Sequence, residues 1–308
     1  MLRLAVIGDE TEASSYDRIV PRLEGATLIA AAGDVDPLFE SHGREFDAVL
    51  IHSAADLHEA HATRAALAGK HVLVQSPLAL DVESAERIAA ACRRAEVCLM
   101  VGRSLRFVPS IRAVCESWQG GQLGAPGLLR IHRWEPQSSP RQGESFTAQL
   151  VNELDLACWF FRGIPNLLYA SGGEPGVEPN GSNYAQLHLG FEGGGMALID
   201  VSTSLPEGEG YFSLSLIGST GAAYADDHHN MQLLYDGGSP AAVKTRQGDA
   251  AMLAEVSELV AAVDQNRKPL ISGTEGRIAL SVAAAAAASL ASGQAARWTG
   301  KQFELESS

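Results

Sequence analysis

The chain is short of positive charge. Its 308 residues include 23 Lys and Arg against 37 Asp and Glu, so the formal net charge is −14 and the pI is near 5.0. The phosphate backbone of a nucleic acid would be repelled by such a charge. No run of basic residues and no basic-aromatic stripe provides a local exception. We therefore expect no nucleic-acid partner.

Cysteine is scarce, and long hydrophobic runs are missing. Cys92, Cys98, Cys115 and Cys158 form no C-x-x-C pair, and none lies near a histidine at metal-ligand spacing. Free buried thiols in a reducing cytosol are therefore expected, rather than zinc or disulfides. The longest apolar tract, residues 279–291, is too short to span a bilayer. The first residues resemble a strand and not a signal peptide, so we expect a cytoplasmic protein without a membrane partner.

Length and pattern predict two domains. With 46% hydrophobic and 19% charged residues, the composition is globular. Short apolar runs alternate with helix-length stretches up to residue 101, which predicts a doubly wound parallel sheet of the Rossmann type. We place this dinucleotide-binding-like domain at residues 1–121. Residues 122–308 carry consecutive strand-length runs, which predict an α+β domain with a large, mainly antiparallel sheet.

The second domain is expected to serve for oligomerisation. One face of its sheet should carry helices, and the other face would then be available to a second subunit. We therefore expect a homodimer or homotetramer that forms through this sheet. The last helix or tail of the chain could also pack back on the first domain.

Three segments carry a specific resemblance. Residues 47–80 contain D-L-H, A-G-K-H-V and a proline turn, residues 101–109 read VGRSLRFVP, and residues 151–163 read VNELDLACWFFRG. In order and spacing they resemble blocks of the Gfo/Idh/MocA oxidoreductases, the family of glucose-fructose oxidoreductase and inositol dehydrogenase. The resemblance implies NAD or NADP as cofactor and a small-molecule substrate such as a sugar or polyol. It covers nearly the whole chain.

The catalytic positions of that family are substituted here. The family places a lysine before the proline of an E-K-P turn, and a D-x-x-x-H pair on the first helix of the second domain. The matching positions are Ser76, Ala148 and Asn152. A hydroxyl cannot carry a positive charge, and an amide cannot accept a proton near neutral pH. These substitutions favour a degenerate, non-catalytic ligand-binding, sensor or partner protein.

An active enzyme with a rebuilt site is the alternative. Oxidation of a hydroxyl needs a group that takes the proton within hydrogen-bond reach of the oxygen. Glu153, next to the substituted histidine position, could take over that proton, as could His58 or a carboxylate of the substrate, and Arg103 could replace the cation. The chain would then be an NAD(P)-dependent dehydrogenase that acts on a sugar, polyol or related hydroxy compound. No G-x-S-x-G elbow or Ser-His-Asp constellation points to another enzyme class.

The cofactor loop is also altered. A dinucleotide fingerprint has glycines at the first, third and sixth positions after the first strand. Of these only Gly8 is kept, because Glu10 and Ala13 occupy the other two. Acidic side chains facing a pyrophosphate are unfavourable, although they could instead cap the next helix. Asp34, after the second strand, stands where an acid usually binds the adenosine ribose. The resemblance adds Ser53 and Gln75 as cofactor positions, and a protein without cofactor remains the other option.

A ligand cleft is expected at the carboxyl ends of the parallel strands. Arginines there would suit an anionic ligand, whereas Arg106 and Asp155 could instead form an ion pair between the domains. We expect no metal site: His58 and His61 lie three apart on a predicted helix surface, and residues 226–230 (DDHHN) are a predicted hairpin loop. The predicted walls of the cleft include His58, Arg103, Arg106, Trp134 and Asp155.

Overall fold

A computed structural model describes residues 1–102, 105–136, 148–173, 184–205, 210–226, 231–235, 241–244 and 249–306. The chain divides into two compact units. Unit 1 combines described residues of Met1–Phe107 and Gly248–Leu280, and unit 2 combines those of Val108–Pro140, Ser145–Gln247 and Ser281–Ser308. The predicted domain boundary at residue 121 stays a prediction.

The elements follow one another as the alternation of the first hundred residues predicted. The helices are α1 (Glu10–Ile19), α2 (Val35–His42), α3 (His58–Leu67), α4 (Val82–Arg94), α5 (Pro109–Gln119), α6 (Val151–Phe161), α7 (Asp249–Asp264) and α8 (Gly273–Ser292). The strands are β1 (Leu2–Ile7), β2 (Ala26–Ala32), β3 (Ala48–Ile51), β4 (His71–Gln75), β5 (Leu99–Gly102), β6 (Pro126–Pro136), β7 (Leu167–Gly173), β8 (Tyr184–Gly190), β9 (Met196–Leu205), β10 (Tyr211–Gly218), β11 (Ala222–Asp226), β12 (Met231–Tyr235), β13 (Ala241–Lys244), β14 (Ala296–Trp298) and β15 (Phe303–Leu305).

Unit 1 is a parallel, doubly wound sheet, which confirms the predicted Rossmann-type fold. Its strand order is β2-β1-β3-β4-β5. Every residue of β3 is buried, as expected for a parallel strand that is covered on both faces. Aspartates begin two of the helices: the side chain of Asp34 accepts a hydrogen bond from the N–H of Val35, and that of Asp81 accepts one from the N–H of Ser84.

The sheet of unit 1 ends at β2. Between Asp34 and β3 the chain forms the single helix α2 and no further strand. The sheet therefore lacks the further strand that a dinucleotide-binding fold normally adds at this edge. As a result, Leu28, Ile29 and Ala30 of β2 are only half-buried.

Unit 2 contains the second sheet, with strand order β13-β12-β11-β10-β6-β9-β8-β7-β14-β15. Most neighbours are antiparallel, as predicted, but β6 and β9 run parallel. Alternate residues of the strands face a buried side that includes Leu129, Ile131 and Ile199. The opposite side carries exposed apolar residues, such as Met196 and Ile217.

Three local features differ from the sequence-based expectation. The first helix of the second domain, expected to carry both Ala148 and Asn152, begins at Val151, after the 3-10 turn Ala148–Leu150. Strands β14 and β15 close the chain and were not predicted, because each has only three residues. Helix α7 was assigned to the second domain and belongs to unit 1. Among the described residues, no helix is both long and apolar enough to cross a bilayer.

Candidate functional site

The carboxyl edge of the parallel sheet gathers the predicted cofactor residues of unit 1. Strand β1 lies between β2 and β3, and the chain leaves β1 first toward one neighbour and later returns to the other. Such a switch in direction opens a crevice at the carboxyl ends of the strands, where ligands of α/β sheets bind. Gly8, Asp34 and Ser53 each stand one or two residues past the end of one of these strands.

The turn after β1 is short and acidic. Helix α1 begins at Glu10, so only Gly8 and Asp9 connect strand and helix. The Asp9 Oδ1 accepts a hydrogen bond from the N–H of Thr11 at 2.9 Å, and the N–H of Ala13 donates to the Asp9 carbonyl at 3.0 Å. Asp9 therefore caps the helix, as the alternative interpretation of these acids expected. Its carboxylate occupies the N–H of Thr11, a donor at the helix terminus that would otherwise be available to a pyrophosphate.

Asp34 stands between the end of β2 and the start of α2. Its side chain is 64% exposed. The Oδ1 accepts a hydrogen bond from the N–H of Val35 at 2.6 Å, which fixes the carboxylate at the start of α2. This edge of the sheet fits the ribose part of a dinucleotide, whereas the turn at Asp9 fits the pyrophosphate poorly.

Asp34 is also one end of a hydrogen-bonded chain. Its Oδ1 lies 3.1 Å from Nε2 of His61, and Nδ1 of the same ring lies 2.9 Å from Oγ of Ser53. The sequence had pointed to no Ser-His-Asp constellation of another enzyme class, and this chain of hydrogen bonds was not predicted. Sequence reasoning missed it because the three residues belong to the ends of two strands and to α3. The sequence feature that could have indicated it is the spacing of Ser53, which follows a buried strand, and His61 eight residues later.

Gln75 belongs to a second, buried chain. Its Oε1 lies 3.0 Å from Nδ1 of His52, while Nε2 of His52 hydrogen-bonds with the Tyr16 hydroxyl. Because the amide oxygen only accepts, the His52 Nδ1 must donate, and the Tyr16 hydroxyl then donates to Nε2. Gln75 is 8% exposed. Its hydrogen bond with His52 links the end of β4 to the residue that follows β3.

The surface position predicted for His58 and His61 is wrong, since their exposures are 1% and 2%. The His58 Nδ1 lies 2.9 Å from the carbonyl oxygen of Pro77, and its Nε2 lies 2.9 Å from that of Ser53. Burial lowers the pKa of His58, and the two carbonyl contacts oppose that shift. His58 thus ties the proline turn after β4 to the end of β3. The half-buried Ser76 lies in that turn, and its N–H donates to the Gly102 carbonyl at 3.2 Å.

In unit 2, helix α6 carries the second group of predicted residues. Asn152 is half-buried, while Glu153 and Asp155 are buried. The sequence suggested that Ala148 and Asn152 lie one turn apart on a continuous α-helix. Ala148 instead lies in the 3-10 turn that precedes α6.

Glu153 is held by a buried arginine. Its Oε1 lies 2.8 Å from Nε of Arg133, and a second carboxylate, that of Glu135, lies 2.6 Å from Nη1 of the same guanidinium. The Glu153 Oε2 is buried and has no hydrogen-bond partner in the described part of the chain. Burial raises the pKa of Glu153, and the charge of Arg133 opposes that shift.

The predicted cleft residues of unit 2 need correction. Side chains alternate along β6, so the Arg133 side chain faces α6 and that of Trp134 faces the other side of the sheet. There its ring packs against those of His132 and Tyr211. Trp134 therefore does not share a wall with the α6 residues. Arg133 is 12% exposed and paired with two carboxylates, so its charge is already neutralised.

The other predicted site residues lie apart from these two groups or outside the described residues. Arg106 is 4% exposed and donates to the carbonyl of Leu270 at 3.4 Å. Arg103 and residues 227–230 lie outside the described residues. Within the described residues, no group of three His, Cys, Asp or Glu side chains is arranged to hold a metal ion. The four cysteines are free thiols, and burial raises the pKa of Cys98 to about 11.

Glu153 gives a testable pH dependence of stability. Because burial raises the pKa of Glu153 in the folded protein above its ordinary value of 4.5, the native state binds the proton more tightly than the unfolded chain. Native stability then falls as the pH rises from 4.5 through the raised pKa. Glu153→Gln cannot titrate, so we expect its thermal midpoint minus that of the wild type to increase between about pH 4 and pH 7.

A matched control for this measurement is Glu116→Gln. Glu116 is an exposed acid of α5 in the same unit, so it makes the same charge change without burial. Its difference from the wild type should stay nearly flat over the same pH range. A difference that decreases with pH for Glu153→Gln would mean that Arg133 outweighs burial, and that the pKa of Glu153 is lowered.

Comparison with known proteins identifies the family for most of the chain. Residues 7–103 match the family described as oxidoreductase family, NAD-binding Rossmann fold, and residues 118–298 match its C-terminal alpha/beta domain. The myo-inositol 2-dehydrogenase of Thermotoga maritima is 26% identical over 79% of this chain and 77% of its own length. The inositol 2-dehydrogenase of Acidothermus cellulolyticus is 29% identical over 89% of this chain and 79% of its own length.

Solved structures show the same fold. An oxidoreductase from Agrobacterium radiobacter, in complex with NAD+, L-tartaric acid and magnesium, is similar with a TM-score of 0.79 and 20% identity, over 96% of this chain and 98% of its own. The WlbA dehydrogenase from Bordetella pertussis, in complex with NADH and UDP-GlcNAcA, is similar with a TM-score of 0.77 and 18% identity, over 96% of both chains. Since the family models match both domains and most of the sequence, the chain belongs to the Gfo/Idh/MocA oxidoreductase family.

Proposed function

We propose that the protein is a nicotinamide-dependent dehydrogenase that acts on a hydroxyl group of a sugar, a polyol or a related small molecule. The observation that carries the proposal is the carboxyl edge of the unit 1 sheet, where the exposed carboxylate of Asp34 stands after β2 beside the turn at Gly8. Family membership supports it, because two of the similar proteins are named inositol dehydrogenases. The proposal thus favours a working enzyme over a degenerate one.

Three residues of unit 1 would each contact a different part of the cofactor. Asp34 would accept hydrogen bonds from the ribose hydroxyls, and its negative charge would favour NAD over the 2′-phosphate of NADP. Gly8 would leave space where the chain turns away from β1, and Ser53 would offer a hydroxyl at the same edge. When bound, the nicotinamide supplies the hydride acceptor. Asp9 would have to tolerate the pyrophosphate nearby.

The proton of the reaction needs a carrier other than the missing lysine. We assign this role to Glu153, because its buried Oε2 lacks a described partner and its pKa is raised. A carboxylate whose pKa is raised by burial accepts a proton more readily than an exposed carboxylate does. Asn152, the neighbouring half-buried amide, would hydrogen-bond a substrate hydroxyl without taking its proton.

The test of this function is a binding titration followed by a turnover assay. Quenching of tryptophan fluorescence should show saturable binding of NADH, tighter than that of NADPH. Asp34→Asn keeps an oxygen to cap α2 but loses the charge, and we expect it to weaken NADH binding about 10-fold. Absorbance at 340 nm should then show reduction of NAD+ with inositols or aldoses.

The matched control is Asp36→Asn, which removes an exposed charge two residues further along α2. Its affinity for NADH should equal that of the wild type. The proposal fails if neither nucleotide binds at millimolar concentration. Binding of NADH without any turnover across a broad panel of hydroxy compounds would instead support the second candidate.

The second candidate is a protein that binds a small ligand without hydride transfer. It is favoured by Ser76 and Asn152, which replace the proton-handling groups of the family, and by the Asp9 cap. Such a protein would act as a sensor or partner. It would bind a sugar or polyol, and an anionic ligand only if the arginines outside the described residues reach it.

The Asp9 cap leads to a prediction in the opposite direction. Asp9→Asn keeps a capping oxygen for the N–H of Thr11 but removes the negative charge beside the expected pyrophosphate. We expect NADH to bind about two- to five-fold more tightly, since one exposed charge at a helix terminus is worth about 0.3–1 kcal/mol. Asp17→Asn, the same change at an exposed site of α1, should leave the affinity unchanged. Equal gains in both variants would indicate only general charge repulsion.

A homodimer or homotetramer is also proposed, with contact through the open face of the unit 2 sheet. Strand register aligns Met196, Leu128 and Ile217 in one row on that face. Met196 is 48% exposed and Ile217 is 37% exposed, and burial of such a row in a second copy would remove apolar surface from water.

Light scattering after size-exclusion chromatography tests the oligomer. The wild type should elute as a multiple of 32.5 kDa, and the double variant Met196→Glu/Ile217→Glu should elute as a monomer because charges cannot be buried in an apolar contact. Leu67→Glu changes another exposed apolar residue, on α3 in unit 1, and should keep the wild-type mass. A monomeric wild type, or a double variant with unchanged mass, would refute this interface.

A further inference from the structure

Ser53, His61 and Asp34 form one continuous hydrogen-bonded chain at the carboxyl edge of the unit 1 sheet. The Ser53 Oγ lies 2.9 Å from His61 Nδ1, and His61 Nε2 lies 3.1 Å from Asp34 Oδ1. We propose that this chain makes Ser53 a nucleophile that accepts the acyl group of a small carboxylic ester. The reaction differs from the nicotinamide-dependent one and needs no cofactor, but a bound cofactor would compete with the ester, because Asp34 and Ser53 also belong to the proposed cofactor edge.

The chemistry of the partners fixes where the protons lie. An ionised carboxylate only accepts hydrogen bonds, so Nε2 of His61 carries the ring proton and donates it to Asp34. The lone pair of Nδ1 then faces Ser53, whose hydroxyl donates to it. This is the division of roles found in Ser-His-Asp triads, which are defined by geometry and not by sequence order. The imidazole has the opposite orientation to that of most such triads: their serine faces Nε2, whereas Ser53 faces Nδ1.

Each member of the chain is held by a separate element. The Asp34 Oδ1 also accepts the N–H of Val35 at 2.6 Å, which anchors the carboxylate at the start of α2. His61 projects from α3, and its side chain is 3% exposed, so the surrounding residues hold the ring in place. The orientation of the imidazole is therefore fixed before any substrate binds, as an activated nucleophile requires.

Ser53 is the member that a ligand could reach. It is half-buried, whereas its neighbour Ala54 is exposed. It follows β3 and precedes the turn into α3, on the edge where ligands of parallel sheets bind. The backbone around it is also fixed, since its carbonyl oxygen lies 2.9 Å from Nε2 of the buried His58.

The proposed step balances without an oxidant or a further reactant. The Ser53 Oγ forms a bond to the acyl carbon of the ester as its proton moves to His61 Nδ1. The bond from carbon to the alcohol oxygen breaks, and His61 returns the proton to the leaving alkoxide. Water then attacks the acyl-serine with His61 as base, which releases the carboxylic acid and restores Ser53.

A fluorophosphonate reagent tests this proposal on the purified, full-length protein. Intact mass and peptide mapping should show one phosphonyl group on Ser53 of the wild type and none there in Ser53→Ala. His61→Gln should slow the labelling by about 10²- to 10⁴-fold, the range that a general base contributes. Asp34→Asn should slow it as well, because the carboxylate orients the ring and stabilises its protonated form.

Ser15→Ala is the matched control. Ser15 is another half-buried serine of unit 1, but its hydroxyl donates to the Thr11 carbonyl at 3.0 Å and not to an imidazole. Its removal should leave the labelling rate unchanged. The proposal is overturned if wild-type Ser53 stays unlabelled, or if His61→Gln reacts as fast as the wild type, which would indicate a merely structural hydrogen bond.

Ser53→Cys provides an independent readout that retains a side chain of similar size. An imidazole beside a thiol lowers the thiol pKa, so iodoacetamide at about pH 6 should alkylate position 53 before Cys98, since burial raises the pKa of Cys98 to about 11. The preference should disappear in Ser53→Cys/His61→Gln. Failure of position 53 to react first would also overturn the proposal.

Discussion

The order of the parallel strands is the constraint on which the proposed chemistry of unit 1 depends. Because β1 lies between β2 and β3, the residues that follow these strands meet at one edge although up to 45 positions separate Gly8 from Ser53 in the sequence. Backbone hydrogen bonds keep this edge in register: the N–H of Gly8 donates to Ala32, and that of His52 donates to Ile7. A slip of one residue would turn each of these side chains to the opposite face of the sheet.

Aspartates at helix N-termini connect the fold with the proposed binding of a dinucleotide. Asp9, Asp34 and Asp81 each accept a backbone N–H at the start of a helix, which stabilises α1, α2 and α4. At α1 this stabilisation competes with an anionic ligand. The competition is modest, since an exposed charge at a helix end is worth about 0.3–1 kcal/mol. The Asp9 cap therefore weakens a pyrophosphate site without closing it, which reconciles this turn with membership of a dinucleotide-binding family.

Much of the fold could be predicted from the sequence, because the buried strands are continuous apolar runs that end at Gly, Asp or Pro. The resemblance also identified Asp34, Ser53 and Gln75 as residues of one edge. The buried positions of His58 and His61 were missed, because their spacing on a helix says nothing about the carbonyl and carboxylate groups that other elements bring to them. Trp134 was misplaced for a related reason: the face that a residue takes depends on strand register, which places Arg133 and not Trp134 against α6.

If the protein works as the proposed dehydrogenase, the substituted catalytic positions would lower its rate rather than abolish the reaction. Loss of one group that stabilises a developing oxyanion costs about 10²- to 10³-fold, and loss of a general base costs about 10²- to 10⁴-fold. Enzymes commonly accelerate reactions by about 10⁶-fold or more, and part of that acceleration comes from holding the two reactants in place. A chain that keeps the sheet edge with Asp34 keeps this contribution even though Ser76 carries no charge. Buried groups such as Glu153 can then restore a proton path in small steps, which is why the altered active-site positions are compatible with a slow dehydrogenase.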